Sequence, residues 1–396
     1  MSTFEQVKII GNSFQQELVD LRRYLHQNPE LGWHEINTST LIQKKLTDLD
    51  LKVVNGFAKT GFYTEIDSGK PGPTIAWRAD MDALPIQDEK KVSYSSKNPG
   101  ISHMCGHDVH TTIAFGLVRV LDNFKEDLEG KIRVFWQPAE EVQPSGAPAM
   151  IEDGILEGVE AVMAMHCDPH TQSGKYSLRS GPETAAFDSF RIKIESQSTQ
   201  HSARPHKGPD AMWVGHQVVQ HLYQFIGRMV NPLDPTVISI CEFHAGFAMN
   251  VIPRSVDISG TIRTASGRKR ELIKSHIKKL INTLSDLHQI RIDIEFGEGA
   301  PAVVNNNALF GFARKLLKKE LGITAVIPRE QSMGAEDFSF YTEKIPGLFI
   351  RVGTSNGAET SHPLHSSLFD IDESILAPTS AMIAHLMIEL LNQNYN

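Results

Sequence analysis

Residues 103–110 read His103-Met104-Cys105-Gly106-His107-Asp108-Val109-His110, and the adjacent pair Glu140-Glu141 follows some thirty residues later. Thiolate, imidazole and carboxylate together form the ligand set of a zinc-like transition metal. Cys105 and His107 can converge on one ion if the chain turns tightly at Gly106, which glycine does at low steric cost. Structural zinc takes closely paired ligands, whereas a catalytic site spreads its ligands and keeps a position open. Glu141 and His166 extend the set far along the chain, so the pattern points to catalysis. The two neighbouring carboxylates can divide the work: one binds metal, the other takes a proton from metal-acidified water. The expectation is a metal-dependent hydrolase. A hydrolase with Cys105 as nucleophile leaves the acidic pair and His166 unexplained. A metal-binding protein without turnover has no need of Glu140 beside Glu141. His103 and His110 read as hydrogen-bonded neighbours of the site.

The elements that must position these residues alternate. Short apolar runs at 73–77, 132–136 and 161–165 read as buried strands, and helical stretches such as 111–124 separate them. A helical period also runs from Phe4 to about Gln27. Alternation of this kind predicts an α/β fold, a central mostly parallel sheet with helices on both faces. The strands lead into Asp80 and Asp82, into Glu140-Glu141, and into His166. In open α/β sheets the ligand crevice lies beyond the carboxyl ends of the strands. From about Pro182 the style changes to β-α-β-β-α-β, a ferredoxin-like order. Gly181-Pro182 and residues 297–301 bracket that segment like hinges. The expected organisation is a discontinuous metal-binding domain, 1–182 and 298–396, with 183–297 inserted as a second domain.

Composition narrows the class. The 396 residues are 40% hydrophobic and 22% charged, as in ordinary globular proteins. A net charge of −8 argues against nucleic acid or an anionic membrane as partner. The opening Met1-Ser2-Thr3-Phe4 lacks the basic start of a signal peptide. Cys105, Cys167 and Cys241 are too few and scattered for a disulfide framework, which predicts a cytoplasmic setting.

Six segments carry a resemblance that spans nearly the whole chain: 21–31 (LRRYLHQNPEL), 78–85 (RADMDALP), 103–110, 137–141 (QPAEE), 250–253 (NVIP) and 333–338 (MGAEDF). In this order they resemble the M20 metallopeptidase family, specifically its amidohydrolase branch of hippurate hydrolases, N-acyl-amino-acid deacylases and indoleacetyl-amino-acid hydrolases. The resemblance implies two divalent metal ions (zinc, manganese, cobalt or nickel) per subunit. Their ligands would be Cys105, His107, Glu141, His166 and His365, with Cys105 bridging and Glu140 as general base. His365 stands in His365-Ser366-Ser367-Leu368-Phe369, matching the family's His-Ser-x-x-Phe segment; His362 is its competitor. Asp82 would orient a ligand from behind.

The resemblance further implies a homodimer whose inserted domain serves as lid and dimer contact. His201 would reach the scissile carbonyl in the neighbouring subunit, and Asn250 and Arg263 would hold the substrate carboxylate. One departure stands out. The family places glycines just before that histidine, where this chain has Ser196-Gln197-Ser198-Thr199-Gln200. The implied reaction is hydrolysis of the amide of an N-acyl amino acid, with a carboxypeptidase or dipeptidase acting on small peptides as the alternative.

Overall fold

The computed structural model describes residues 1–392. They form two compact units, one of Met1–Gly181, Val304–Glu330 and Phe340 onward, the other of Pro182–Val303 and Gln331–Ser339. The second unit thus runs six residues past the expected boundary at 297 and takes in a later segment as well. Backbone hydrogen bonds explain the addition: Ala185 N–H donates to Gly334 O (3.1 Å) and Ser332 N–H to Glu183 O (3.0 Å).

The first unit is built on an eight-stranded sheet among the described residues. Its order is Val53–Phe57, Gly61–Asp67, Lys131–Gln137, Thr74–Asp80, Val159–Gln172, Gly347–Ser355, Tyr176–Leu178, Val326–Pro328. The four middle strands, Lys131–Gln137 to Gly347–Ser355, are parallel to one another. They are buried along almost their whole length, as parallel strands covered on both faces must be. Asp80 and Gln137 sit opposite each other at the carboxyl end.

Three elements differ from their sequence-based outline. The strand expected at 161–165 continues to Gln172, so His166 lies inside it, opposite Arg351 of the parallel neighbour. The helix expected at 111–124 is His107–Asp122, because Gly106 adopts a left-handed φ of 86° and its carbonyl accepts from Val109 and His110. The opening helix is two, Thr3–Ser13 and Gln15–Gln27, broken at Phe14. There the Ser13 hydroxyl donates back to Ile10 O (2.6 Å), in competition with the helical ladder.

The core of this unit is closed by the helix Leu376–Asn392, which packs on His107–Asp122 and Thr3–Ser13. The stretch Glu373–Asn392 is long and apolar enough to cross a membrane, yet 83% of its most apolar window is buried inside the protein. It serves as the core helix of an α/β unit.

The second unit is a four-stranded antiparallel sheet in the order Thr236–Ala245, Ser255–Thr264, Ala186–Glu195, Arg291–Phe296. Helices Ala211–Met229 and Gly267–His288 pack on it, giving the ferredoxin-like arrangement. Burial alternates residue by residue along Ser255–Thr264, so Val256, Ile258 and Ile262 face the helices and their neighbours do not.

Candidate metal centre

The donor groups of the first unit converge at the carboxyl end of its parallel strands. Of the triads whose donor atoms lie within 4.8 Å of one another, two contain the thiol: Cys105 with His107 and His166, and Cys105 with Glu141 and His365. Sγ of Cys105 lies 3.4 Å from Nε2 of His166. Nε2 of His365 lies 3.2 Å from Oε1 of Glu141. Glu140 is at the rim, its Oε2 4.0 Å from Nε2 of His107.

Each imidazole is aimed by what its other nitrogen does. Nδ1 of His107 is 3.1 Å from Oδ1 of Asp82, so that nitrogen donates to the carboxylate and Nε2 is the atom aimed at the site. This buried Nε2 makes no hydrogen bond among the described residues. His166 repeats the device, with Nδ1 donating to the Cys167 carbonyl at 2.9 Å and Nε2 facing Cys105. His110 is different. Nδ1 meets Asp80 at 2.6 Å and Nε2 accepts from the Cys167 N–H at 3.0 Å, so neither nitrogen is left for a metal. The donor set of soft sulfur, two imidazole nitrogens fixed in orientation and a carboxylate fits divalent transition-metal ions.

Charge at the site is balanced by burial against carboxylates. Burial opposes a charge on His107, but Asp80 and the hydrogen bond to Asp82 outweigh it and raise its pKa well above the usual value. The same negative field favours a cation at Nε2. Burial, with Arg351 and His110, drives the pKa of His166 well below the usual range and keeps the ring neutral. Burial and the charge of Glu141 push the Cys105 thiol well up, a bias that a bound cation reverses.

The backbone brings distant donors together. The His365 N–H donates to Met104 O at 2.7 Å, which ties the late histidine to the residue before Cys105. His365 adopts a left-handed φ of 65° there. His362 joins neither triad. The Glu141 N–H donates to Oδ2 of Asp82 at 2.9 Å, so one carboxylate orients His107 and anchors the acidic pair together.

Behind this layer a buried arginine holds three segments. Arg22 Nε pairs with Asp108 (2.9 Å), Nη2 with Asp370 (2.8 Å) and Nη1 with Glu373 (3.2 Å). His26 Nδ1 adds a 2.7 Å contact to Asp108. His110 is the hydrogen-bonded neighbour expected from the sequence, and Asp80 stands at the expected strand end, whereas neither ring nitrogen of His103 makes a hydrogen bond among the described residues. The arginine cluster was not nominated from the sequence; the available signal was the Arg-x-x-x-His spacing of 22 and 26.

In the second unit His201 lies on a two-stranded ribbon, Gln200–His201 against Val251–Ile252, which places Asn250 next to it. Ser202 N–H donates to Asn250 O at 3.0 Å. Arg263 lies on the main sheet, its guanidinium over Phe187 and donating to Met333 O at 2.8 Å. None of residues 196–200 has a left-handed φ, so the loop before His201 does not require glycine.

The chain matches the model of Peptidase family M20/M25/M40 over residues 76–389. It belongs to that family. N-acetyl-L-cysteine deacetylase of Bacillus subtilis is 35% identical over 383 residues, 97% of this chain and 90% of that one. Thermostable carboxypeptidase 2 of Saccharolobus solfataricus is 33% identical over 397 residues, 99% of this chain and 100% of that one. A dinuclear metal binding peptidase of the M20 family from Bacillus subtilis has a solved structure that superposes with a TM-score of 0.84 at 31% identity, covering 96% and 99% of the two chains. This M20 protein is a metal-dependent hydrolase of amide bonds.

Gly106 shows how tightly the M20 hydrolase is built at the turn. A Cβ at this left-handed position would lie 2.9 Å from Cys167 Sγ. Gly106→Ala is expected to destabilise the protein by ~1–3 kcal/mol and to weaken metal retention. Denaturant unfolding and metal analysis check both; wild-type values in each would rule out a strained turn.

Proposed function

We propose that this M20 hydrolase cleaves N-acyl amino acids, releasing a carboxylate and a free amino acid. The observation that carries the reading is the thiol shared between two donor triads. In this reading two divalent ions would be held by Cys105, His107, His166, Glu141 and His365. Sulfur, nitrogen and oxygen donors together admit zinc, manganese, cobalt or nickel. Bound ions supply Lewis acidity and an acidified water. Glu140, outside both of those triads but beside them, takes the proton of the water and delivers it to the leaving nitrogen.

His201 is the oxyanion donor. Its Nδ1 accepts from the Ala203 N–H (3.1 Å), which leaves Nε2 to carry the ring proton outward. Asn250, on the same ribbon, and Arg263 take the substrate carboxylate; arginine suits this through its two-pronged geometry. The N-acetyl-L-cysteine deacetylase relative favours an N-acyl substrate, and the carboxypeptidase relative favours peptides as the second reading. Both offer an amide beside a free carboxylate. Turnover of acetyl, benzoyl and indoleacetyl amino acids against dipeptides decides between them.

The same reading makes the protein a homodimer joined through its second unit. The strand Thr236–Ala245 is an open sheet edge with Val237 and Phe243 exposed, a surface suited to strand pairing. A cytoplasmic setting accords with three cysteines that form no disulfide, one of them the exposed Cys241.

Glu140→Gln should keep its metal and lose ~10²–10⁴-fold or more in kcat; near-normal turnover of a metal-loaded variant would sink the base assignment. Cys105→Ser replaces the shared soft ligand, so metal stoichiometry should fall below that of the wild type, and unchanged stoichiometry and affinity would demote Cys105 to a neighbour. If His201 acts in the partner's site, inactive His201→Ala and Glu140→Gln subunits should complement when mixed. Random exchange makes about half the dimers mixed, each with one intact site, so roughly a quarter of wild-type activity should return. Absence of recovery despite proven exchange would place His201 elsewhere.

A further inference from the structure

The acidic pair sits on a loop whose shape is imposed from outside. Ala139, buried and non-glycine, has a left-handed φ of 55°. A residue with a Cβ stays there only if its surroundings over-determine it. They do so at both ends of its peptide. The Ala139 N–H donates to Oε1 of Glu35 at 2.7 Å, and its carbonyl accepts from Gly146 N–H at 2.8 Å. Glu35 is itself completely buried, and its other oxygen accepts from the Thr60 hydroxyl at 3.2 Å.

The turn before Glu35 holds the far end of the same loop. Nε1 of Trp33 donates to Pro144 O at 3.0 Å, and the Trp33 ring is in turn covered by Lys59 Nζ at 4.8 Å. Gly32 lets this turn approach. A Cβ there would lie 2.8 Å from Val142 Cγ2 and 3.3 Å from both Ala139 Cα and Asp82 Oδ2. Between the two anchors, Asp82 holds the Glu141 N–H. Glu140 and Glu141 are therefore presented by a loop pinned at its start, middle and end, with start and end held from residues 33–35.

We propose that Glu35 and Trp33 are positioning residues for the catalytic carboxylates, a clamp on the 139–144 loop that fixes where Glu140 and Glu141 point. The inference rests on the roles proposed above for those two residues. Among the described residues neither clamp side chain hydrogen-bonds to a donor of the cluster, and Glu35 works by reach and acceptor geometry. Burial, with the nearby charge of Asp82, raises its pKa to about 7, in keeping with a carboxyl that serves as well neutral as charged.

The contrast of Glu35→Gln with Glu35→Asp tests this. Gln keeps the reach and an acceptor oxygen without charge; Asp keeps the charge and withdraws the oxygen by about 1.5 Å. Glu35→Gln should retain nearly wild-type kcat. Glu35→Asp should lose ~10²-fold in kcat at unchanged KM, the scale of a ~1 Å misplacement. Amide hydrogen exchange across 139–144, followed with and without added metal, should accelerate in the Asp variant only. Trp33→Phe, which removes the hydrogen bond to Pro144 and trims the ring under Lys59, should lose about two- to tenfold in kcat. The reverse order, Asp active and Gln inactive, would mean that charge matters and overturns the clamp. So would faster exchange without loss of kcat, or wild-type behaviour of all three variants. Glu140→Gln keeps the two ideas apart. Wild-type turnover there removes Glu140 as base, while faster loop exchange and lost kcat in Glu35→Asp would still stand for the clamp.

Discussion

The site depends on holding imidazole rings in fixed orientations inside a protein. A buried nitrogen without a partner is unfavourable, and a free side chain turns to find one. His107 and His166 cannot turn, because Asp82 and the Cys167 carbonyl occupy their Nδ1 positions. Nε2 of His107, buried without a hydrogen-bond partner among the described residues, is where the ring holds its second proton and where a metal ion would replace it. Asp80 and Asp82 add the negative field that makes such a cation welcome. His110 shows the opposite outcome from the same helix turn: with both nitrogens engaged, it is a structural strut.

Rigidity of that kind needs a frame, and the frame is charged. Arg22 is fully buried between Asp108, Asp370 and Glu373, and it links the helix Gln15–Gln27 to the residue after His107 and to the segment after His365. Removing one member of such a cluster leaves uncompensated charge, which costs ~3–5 kcal/mol. A hydrophobic cluster of equal volume would give as much stability. It would not fix the direction of Asp108, whose Oδ1 caps the Val109 N–H at the helix start.

The two units use opposite sheet logics for different ends. The parallel strands of the first are buried on both faces and deliver polar groups only at their carboxyl ends, where the donors gather. The antiparallel sheet of the second buries one face under two helices and leaves the other polar. Among the described residues its outer strand Thr236–Ala245 is paired on one side only, and its short ribbon holds His201 beside Asn250. A unit with an open edge and a histidine on a ribbon is suited to contribute from outside, as the proposed dimer requires.

Much of this was legible in the residues themselves. Strand and helix order followed from hydrophobic period, because burial on one or two faces writes itself into spacing of two or 3.6 residues. The ferredoxin-like order followed in the same way, and Cys105, His107, Glu140, Glu141 and His166 stood out because soft and acidic donors rarely cluster without cause. His365 and the residues of the second unit were reached only through family resemblance, since one histidine among many has no local mark. Tertiary structure decided the rest. Which nitrogen of each histidine is free depends on partners such as Asp82 and Cys167, and no spacing reports a hydrogen bond across the fold. That His166 lies inside its strand was set by parallel pairing with Gly347–Ser355. That Glu35 grips Ala139 was set by a turn about a hundred residues upstream, because a left-handed alanine is a property of its surroundings and not of its sequence.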